Sequence, residues 1–444
     1  MTTPPLFTRL RWLAGKEWRE LFASRATSLL LLAVGPLVGH AFITAVNTYA
    51  DVSGSAGGAA ALAQGISPLD GLLVPTFGAY ALIATLLLPF VAIRVVSAEK
   101  ESGALSLLVQ GPTSLATMMT VKAVVVLLAW ILTWLPGLAA LALWRSYGGH
   151  INGAELLTLL SGHLLRGVIV IAVAFAAAAI TDGVASAAVV TLGVTLGTWA
   201  LDFIAQVQGG VAQQLARFTP DAALRTFEQG EWSFAVTAVS LALSLAIAAS
   251  ATSWMHTGWT VRRRALRSAV AVLCGVVLAV SFARVRASID ASEDRRNSFS
   301  REDEAALRTI DGLIRVTANL APEDPRFTDL QRSVLHKLER LVPVVVTSTA
   351  RSSTGLFEQP SQGYGEVWYE WHGQRRMSRS TTVPIVLETL YDLTGVRAPT
   401  NRAPDSYPGY PLKATPRVAA PLFYGLCPTL VLMLAWWSRR RDRE

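Results

Sequence analysis

The sequence predicts a helical membrane protein of about eight spans that carries one small α/β domain outside the bilayer. Three observations lead there. Long apolar stretches recur along the chain, and Leu72 to Val96 holds one charged residue, Arg94. Overall 52% of the residues are apolar and 16% charged, where an ordinary soluble domain has about 25% charged. The charge is also segregated: Arg284 to Arg417 is rich in Arg, Asp and Glu and lies between the last two apolar segments.

A span needs about 20 largely apolar residues, because a helix rises about 1.5 Å per residue through roughly 30 Å of hydrocarbon. Eight segments qualify: Ala26 to Val46, Leu72 to Val96, Ala123 to Trp144, Leu156 to Ile180, Val184 to Leu201, Phe234 to Ser253, Ala265 to Phe282 and Val418 to Trp437. Only Thr181-Asp182-Gly183 separates the fourth from the fifth, so these two read as a tight helical hairpin. The fifth and seventh are short.

Basic residues set the orientation. Arg9, Arg11, Lys16, Arg19 and Arg25 precede the first span, and Arg262, Arg263, Arg264 and Arg267 lie between the sixth and seventh. Arg439, Arg440, Arg441 and Arg443 follow the eighth, whereas Asn47 to Gly71 has no Lys or Arg. An even count of spans puts all three clusters on one side, as the positive-inside rule requires. The expectation is a multi-pass protein of a bacterial inner (plasma) membrane, with both ends cytosolic and a periplasmic domain. The same placement accounts for the net charge of +8 without a nucleic-acid partner, which would call for a basic face on a soluble fold. No cleavable signal peptide is evident: the first apolar run is too long and lies behind a charged amphipathic stretch. Cys274 and Cys427 fall inside apolar segments and read as buried free thiols.

The organisation that follows is an amphipathic helix at 1–25, six spans at 26–256, a seventh at 257–283, the α/β domain at 284–416, and an eighth span with a basic tail at 417–444. Within Leu6 to Phe22, Phe7, Leu10, Ala14, Trp18 and Leu21 share one face while Arg9, Arg11, Lys16 and Arg19 take the other. Such a helix lies on a membrane surface or packs on a partner protein. In the α/β domain, Ser300 followed by Arg301-Glu302-Asp303-Glu304 predicts a capped helix start. Leu313 to Leu320 and Val342 to Ser348 read as strands, and Pro325 to Leu341 as a helix. Glu366 to Met377 reads as a hairpin turning at His372-Gly373, and Thr381 to Leu393 as a final helix with Pro384 in its first turn. The order suggests a small open sheet flanked by helices, tethered to the membrane by the Pro-rich stretch from Ala398 to Pro416.

Several chemistries have no motif here. There is no Gly-x-x-x-x-Gly-Lys-[Ser/Thr] loop, no paired metal spacing among the six histidines, and no nucleophile elbow. The chain is read as non-enzymatic, with no cofactor of its own. Ionisable groups inside spans are costly. Arg94 is placed to snorkel, and Asp182 and Asp202 read as solvated span ends. His163 and Arg166, about two turns into the fourth span, either line a polar pathway or mark a span that starts nearer Gly167.

After the second span comes Glu99-Lys100-Glu101-Ser102-Gly103-Ala104-Leu105-Ser106-Leu107-Leu108-Val109-Gln110-Gly111-Pro112-Thr113-Ser114. This resembles the first cytoplasmic loop of type-two ABC transporter permeases, with Glu99, Gly103, Leu105, Leu108, Pro112 and Ser114 on matching positions. Ala104 and Ser106 replace the usual Thr and Glu. The resemblance implies a six-helix permease core whose loop docks on a separate ATPase, with Leu105 and Leu108 seated in a groove and Glu99, Lys100 and Glu101 at its charged start.

Lys16-Glu17-Trp18-Arg19-Glu20-Leu21 is similar to the connecting helix that precedes the first span in that family. Phe218-Thr219-Pro220, Phe227 and Gly230 are similar to the segment before the sixth span of gliding-motility-type permeases, with Ala223 where a His is usual. Asp290, Asn297-Ser298-Phe299-Ser300 and Asp324-Pro325-Arg326-Phe327 resemble the companion subunit of those transporters, although the domain is much shorter. The chain thus looks like a permease fused to its companion. That likeness implies an exporter subunit, two copies per complex, ATP and Mg on a partner ATPase, contact with membrane lipids and a periplasmic partner. The rival expectation is a membrane anchor of an envelope or gliding-type machine, with the α/β domain as the working part.

Overall fold

The computed structural model describes residues 5–55, 67–105, 110, 113–208, 210–216, 218–256, 258–321, 324–349, 363–399, 407 and 409–441. Helix α1 (Leu6–Ala23) leads into α2 (Arg25–Ser55). A π-helical turn, Leu69–Leu73, then runs into α3 (Val74–Leu86) and α4 (Leu88–Glu101). There follow α5 (Leu115–Leu132), α6 (Leu135–Ser146), α7 (Gly153–Ile180), α8 (Val184–Gln208), α9 (Gly210–Ala216) and α10 (Pro220–Glu228). Strand β1 (Glu231–Ser233) precedes α11 (Phe234–Met255) and α12 (Val261–Phe282).

Among the described residues seven stretches are long and apolar enough to cross a membrane: 25–54, 69–101, 115–146, 153–180, 184–205, 234–255 and 261–282. The chain is a multi-pass membrane protein. The eighth expected span is a shorter apolar helix, Pro421–Trp437. It opens with a π-helical turn, Pro421–Leu426, and continues as a regular helix to Arg441. The short fifth and seventh candidates, by contrast, are full-length helices.

Two spans are broken, each just before a proline, which cannot donate to the helical ladder and clashes with the carbonyl four residues back. The second span breaks at Leu87, ahead of Pro89. The third breaks at Thr133-Trp134, ahead of Pro136. In the third span the ladder bond that Gly137 would make to Thr133 is replaced by a side chain. The buried Tyr80 hydroxyl donates to the Thr133 carbonyl at 3.0 Å and accepts from the Gly137 N–H at 3.0 Å. Both backbone groups are thereby satisfied in a dry setting where an orphan is expensive.

The α/β domain follows β2 (Ser288–Asp290) and α13 (Arg301–Leu307). Its sheet comprises β3 (Ile314–Ala318), β4 (Val344–Ser348), β5 (Val367–Trp371) and β6 (Gln374–Ser378), in the order β4-β3-β5-β6. The β3–β4 pair is parallel and the other two are antiparallel. The crossover between β3 and β4 runs from Pro325 to Leu341 as α14 (Pro325–Leu330), a π-helical turn (Gln331–Leu335) and α15 (His336–Leu341), and α16 (Val383–Thr394) closes the layer. Leu307, Val316, Leu330, Leu338, Tyr369 and Leu390 fill the core. Ser300 caps α13 by accepting from the Asp303 N–H at 3.1 Å. The hairpin turns at His372-Gly373, both with positive φ, +46° and +81°, as a twist-matched two-residue turn needs.

The sequence did not reveal that β1 and β2 pair antiparallel, Glu231 opposite Asp290 and Ser233 opposite Ser288. This ribbon joins the approach to α11 with the exit from α12. The α/β domain is therefore fastened to one end of the bundle. Arg296 bonds Asp70 and, at 2.7 Å, the Ser67 hydroxyl. The Glu293 N–H donates to Glu155 at 2.8 Å, and the Tyr49 hydroxyl donates to the Tyr410 carbonyl at 2.7 Å. Glu99 lies at the far end of the span that begins beside Asp70.

Three expectations need correction. Cys274 is exposed and Cys427 half-buried, because α12 and the last helix turn apolar faces outward. Asp202 is not a solvated span end: α8 runs on to Gln208, and Asp202, 5% exposed, is gripped by Arg225. In α1 the expected apolar face is split, with Leu21 buried but Phe7 and Trp18 exposed. The buried edge is taken by Glu17 instead.

The last helix is seated on α2 by close approach at Gly35 and Gly39. A Cβ on Gly39 would lie 2.1 Å from Phe423 Cβ, and one on Gly35 would lie 2.8 Å from Cys427 Cβ. Small residues four apart allow such contact between spans. Gly39→Leu is expected to unseat the last helix and lower stability by about 1–3 kcal/mol, read as a fall in the melting temperature of the detergent-solubilised chain. Gly15→Leu, which meets open space, should leave it unchanged.

Candidate functional site

At the end of the bundle away from the α/β domain, five charged side chains from three elements converge. Lys122, only 1% exposed in α5, reaches Glu17 of α1 at 2.7 Å and Glu99 of α4 at 2.9 Å. Its ammonium also donates to the Val95 carbonyl at 3.2 Å, so all three of its protons are used. Lys16 reaches Glu99 at 2.7 Å and both Glu17 and Glu20 at 3.3 Å. Partial burial works against the Lys16 charge, but the Glu99 hydrogen bond and the Glu17 and Glu20 carboxylates outweigh it and push its pKa up. The carboxylates of Glu17, Glu20 and Glu99 lie close enough to share a metal ion, but the two lysines already supply that countercharge. A cleft of about 320 Å³ opens beside them, lined by Glu17, Glu20, Leu21, Arg94, Ala98 and Glu99.

The loop itself leaves this cluster. Lys100 donates to the carbonyls of Ala179 and Thr181 at the end of α7. Glu101 accepts the Val184 N–H at 3.0 Å at the start of α8. The charges expected to face a partner make contacts within the chain: buried Glu99 with two lysines, and Lys100 and the exposed Glu101 with the α7–α8 hairpin. Gly103 has φ +75° and turns the chain out of α4, and Leu105 is buried. Leu108 and Pro112 lie outside the described residues. Ser114 caps α5 by accepting from the Thr117 N–H at 3.1 Å. In the connecting helix, Lys16 and Glu17 face the cluster while Trp18 and Arg19 face outward, Arg19 bonding the Gly15 carbonyl at 3.2 Å. Lys122 was missed from sequence, although a lone ammonium inside an apolar segment signals a required partner.

His163 and Arg166 lie mid-helix in α7, which begins at Gly153. His163 is fully buried beside the rings of Phe77 and Tyr80, and its backbone carbonyl accepts from the Trp130 indole at 3.2 Å. Arg166 pairs with Asp221 at 2.7 Å and with the Thr85 hydroxyl at 2.8 Å. The two residues are neighbours on the helix but serve different contacts, and Arg166 pins α10 against the second span.

At the opposite end, the Asp290 carboxylate accepts from the Asn297 N–H at 3.1 Å and the Ser298 hydroxyl at 2.6 Å, closing the turn noted in the sequence. The Nε2 of His336 lies 2.8 Å from a Glu231 carboxylate oxygen. Burial works against the Glu231 charge, but His336 and Arg340 bring its pKa below the ordinary 4.5. The Glu231 hydrogen bond raises His336 above its ordinary 6.5, against burial.

No protein-family model, curated protein or solved structure matches this chain.

Two outcomes follow. Lys122→Met leaves the buried Glu17 and Glu99 with only the half-exposed Lys16 as countercharge and is expected to cost about 3–5 kcal/mol, measured by thermal unfolding in detergent. Adding Glu99→Gln should recover part of that loss. For the His336–Glu231 pair, the raised histidine contributes below pH 6.5 and is lost as pH rises through its folded value. The lowered carboxylate contributes above pH 4.5 and is lost as pH falls through its own. Hydrogen-exchange protection factors of the β1–β2 amides should therefore peak between these limits and fall at higher pH, and His336→Gln should flatten that profile.

Proposed function

We infer that the chain is the permease subunit of an ATP-driven ABC transporter, an exporter, working in a bacterial inner membrane with its α/β domain in the periplasm. ATP and Mg belong to a separate ATPase chain that engages the loop from Glu99 to Pro112. The observation that carries this reading is the mechanical setting of that loop. It leaves α4 directly beyond Glu99, where Lys16 and Lys122 hold α1 and α5, and Lys100 and Glu101 hold the α7–α8 hairpin. A push on the loop is thereby delivered to five helices together, which suits a device that interconverts two packings of one bundle. Glu99 and Glu101 act inside the chain here, and docking falls to the apolar part of the loop. The lightly covered fifth and seventh spans offer surface to lipid and to the second copy that a two-permease, two-ATPase assembly needs.

The anchor reading, in which the α/β domain is the working part, draws on how firmly Arg296, Glu293 and Asn297 bolt that domain to the bundle. Both readings are separated by one measurement. Tagged full-length chain isolated from its own membranes is expected to carry Mg-dependent ATP hydrolysis, and Leu108→Asp is expected to lose it at an unchanged melting temperature. Wild-type chain that brings no hydrolysis, or a Leu108→Asp chain that keeps all of it, removes the coupling assignment.

A further inference from the structure

Helix α12 is the least covered of the seven long apolar helices, with 17% of its apolar window buried. It opens with Arg262, Arg263, Arg264 and Arg267, yet no Asp or Glu occurs anywhere between Glu231 and Asp290. Positive charge in the first turns of a helix is opposed by the backbone dipole, so this arrangement calls for an anion from outside the segment. Arg262, Arg263 and Arg267 are exposed, and none of the three pairs with a carboxylate among the described residues.

The arginines are also organised. The guanidinium carbons of Arg263 and Arg267 lie 4.7 and 4.0 Å from the centroid of the Trp259 ring. His256 stacks on that ring at 4.0 Å. Its pKa is held down by burial and then by the field of Arg267, Arg263 and Arg264. One indole thus contacts both guanidinium groups, and each presents the planar fork of donors that suits a phosphate. From that pair an exposed apolar stripe descends at spacings of three and four, through Val270, Cys274 and Val277.

We propose that Trp259, Arg263 and Arg267 form a site for an anionic phospholipid, its phosphate on the guanidinium pair and an acyl chain along Val270, Cys274 and Val277. Clustered basic residues at the end of a span favour anionic headgroups, and the indole occupies the interfacial depth that Trp prefers. The continuity of cation pair and apolar stripe selects a lipid over an acidic protein, since a water-soluble partner would leave the stripe uncovered. Free phosphate satisfies the headgroup position alone.

The test is native mass spectrometry of the full-length chain, released from micelles holding phosphatidylglycerol and phosphatidylcholine in equal amounts. Wild type is expected to retain phosphatidylglycerol preferentially. Each arginine near an anionic surface contributes on the order of fivefold, so Arg263→Gln with Arg267→Gln should reduce that preference by roughly twentyfold. Arg375→Gln with Arg376→Gln, on the α/β domain, should leave it unchanged. Arg263→Lys with Arg267→Lys keeps the charge but loses the stacked fork, and a severalfold drop is expected even if the glutamine variant fails to fold. Equal retention of the two lipids by wild type overturns the proposal. So does a lysine variant indistinguishable from wild type, and so does complete displacement of the lipid by excess glycerol phosphate, which would assign the site to a headgroup without its chain.

Discussion

The ammonium of Lys122, held between the carboxylates of Glu17 and Glu99, is the constraint from which the rest of the bundle takes its shape. A charge 1% exposed is tolerated only when every proton has an acceptor and a countercharge is at hand. Meeting that demand forces α1, α4 and α5 into one register. Lys16 then closes the group from the half-exposed side. The amphipathic helix, which on composition alone would float on the membrane surface, becomes a structural member of the helical bundle.

The opposite end is built on different physics. There the α/β domain is joined by many modest polar contacts and a two-strand ribbon in place of one dry charge cluster. Some of these groups are themselves buried, among them Glu155, Glu231 and Asn297, while Arg296 and Asp70 stay partly open to solvent. The bundle therefore has one end held by a single compact cluster of desolvated charge and the other by contacts spread over several elements. In the proposed transporter, the charge-clustered end is where force from ATP would enter, and the end bearing the α/β domain is where cargo or a partner would be met.

Much of this was legible in the sequence because its determinants are local. Apolar runs long enough to span, the Ser300 cap, the Pro325–Leu341 periodicity and the His372-Gly373 turn each depend on neighbours within a few residues. The parts that were missed depend on distant ones. Asp202 reads as a solvated terminus until Arg225 arrives from another helix, and the β1–β2 ribbon joins segments more than fifty residues apart. Glu99 was expected to face outward, because nothing local points to Lys16 and Lys122. Lys122 hides for the same reason: one lysine beside an apolar run looks like a boundary until its partners are known.

The hydroxyl of Tyr80, inserted between Thr133 and Gly137, makes the outer half of the third span a limb on a swivel. A phenol can rotate about its C–O bond while still giving one hydrogen and taking another, so α6 can change its angle to α5 with the count of satisfied groups held constant. An unbroken helix would have to forfeit a ladder bond to bend as far in hydrocarbon. The chain thus carries a built-in knuckle partway along its third span, where two helical segments can change their angle without giving up a hydrogen bond.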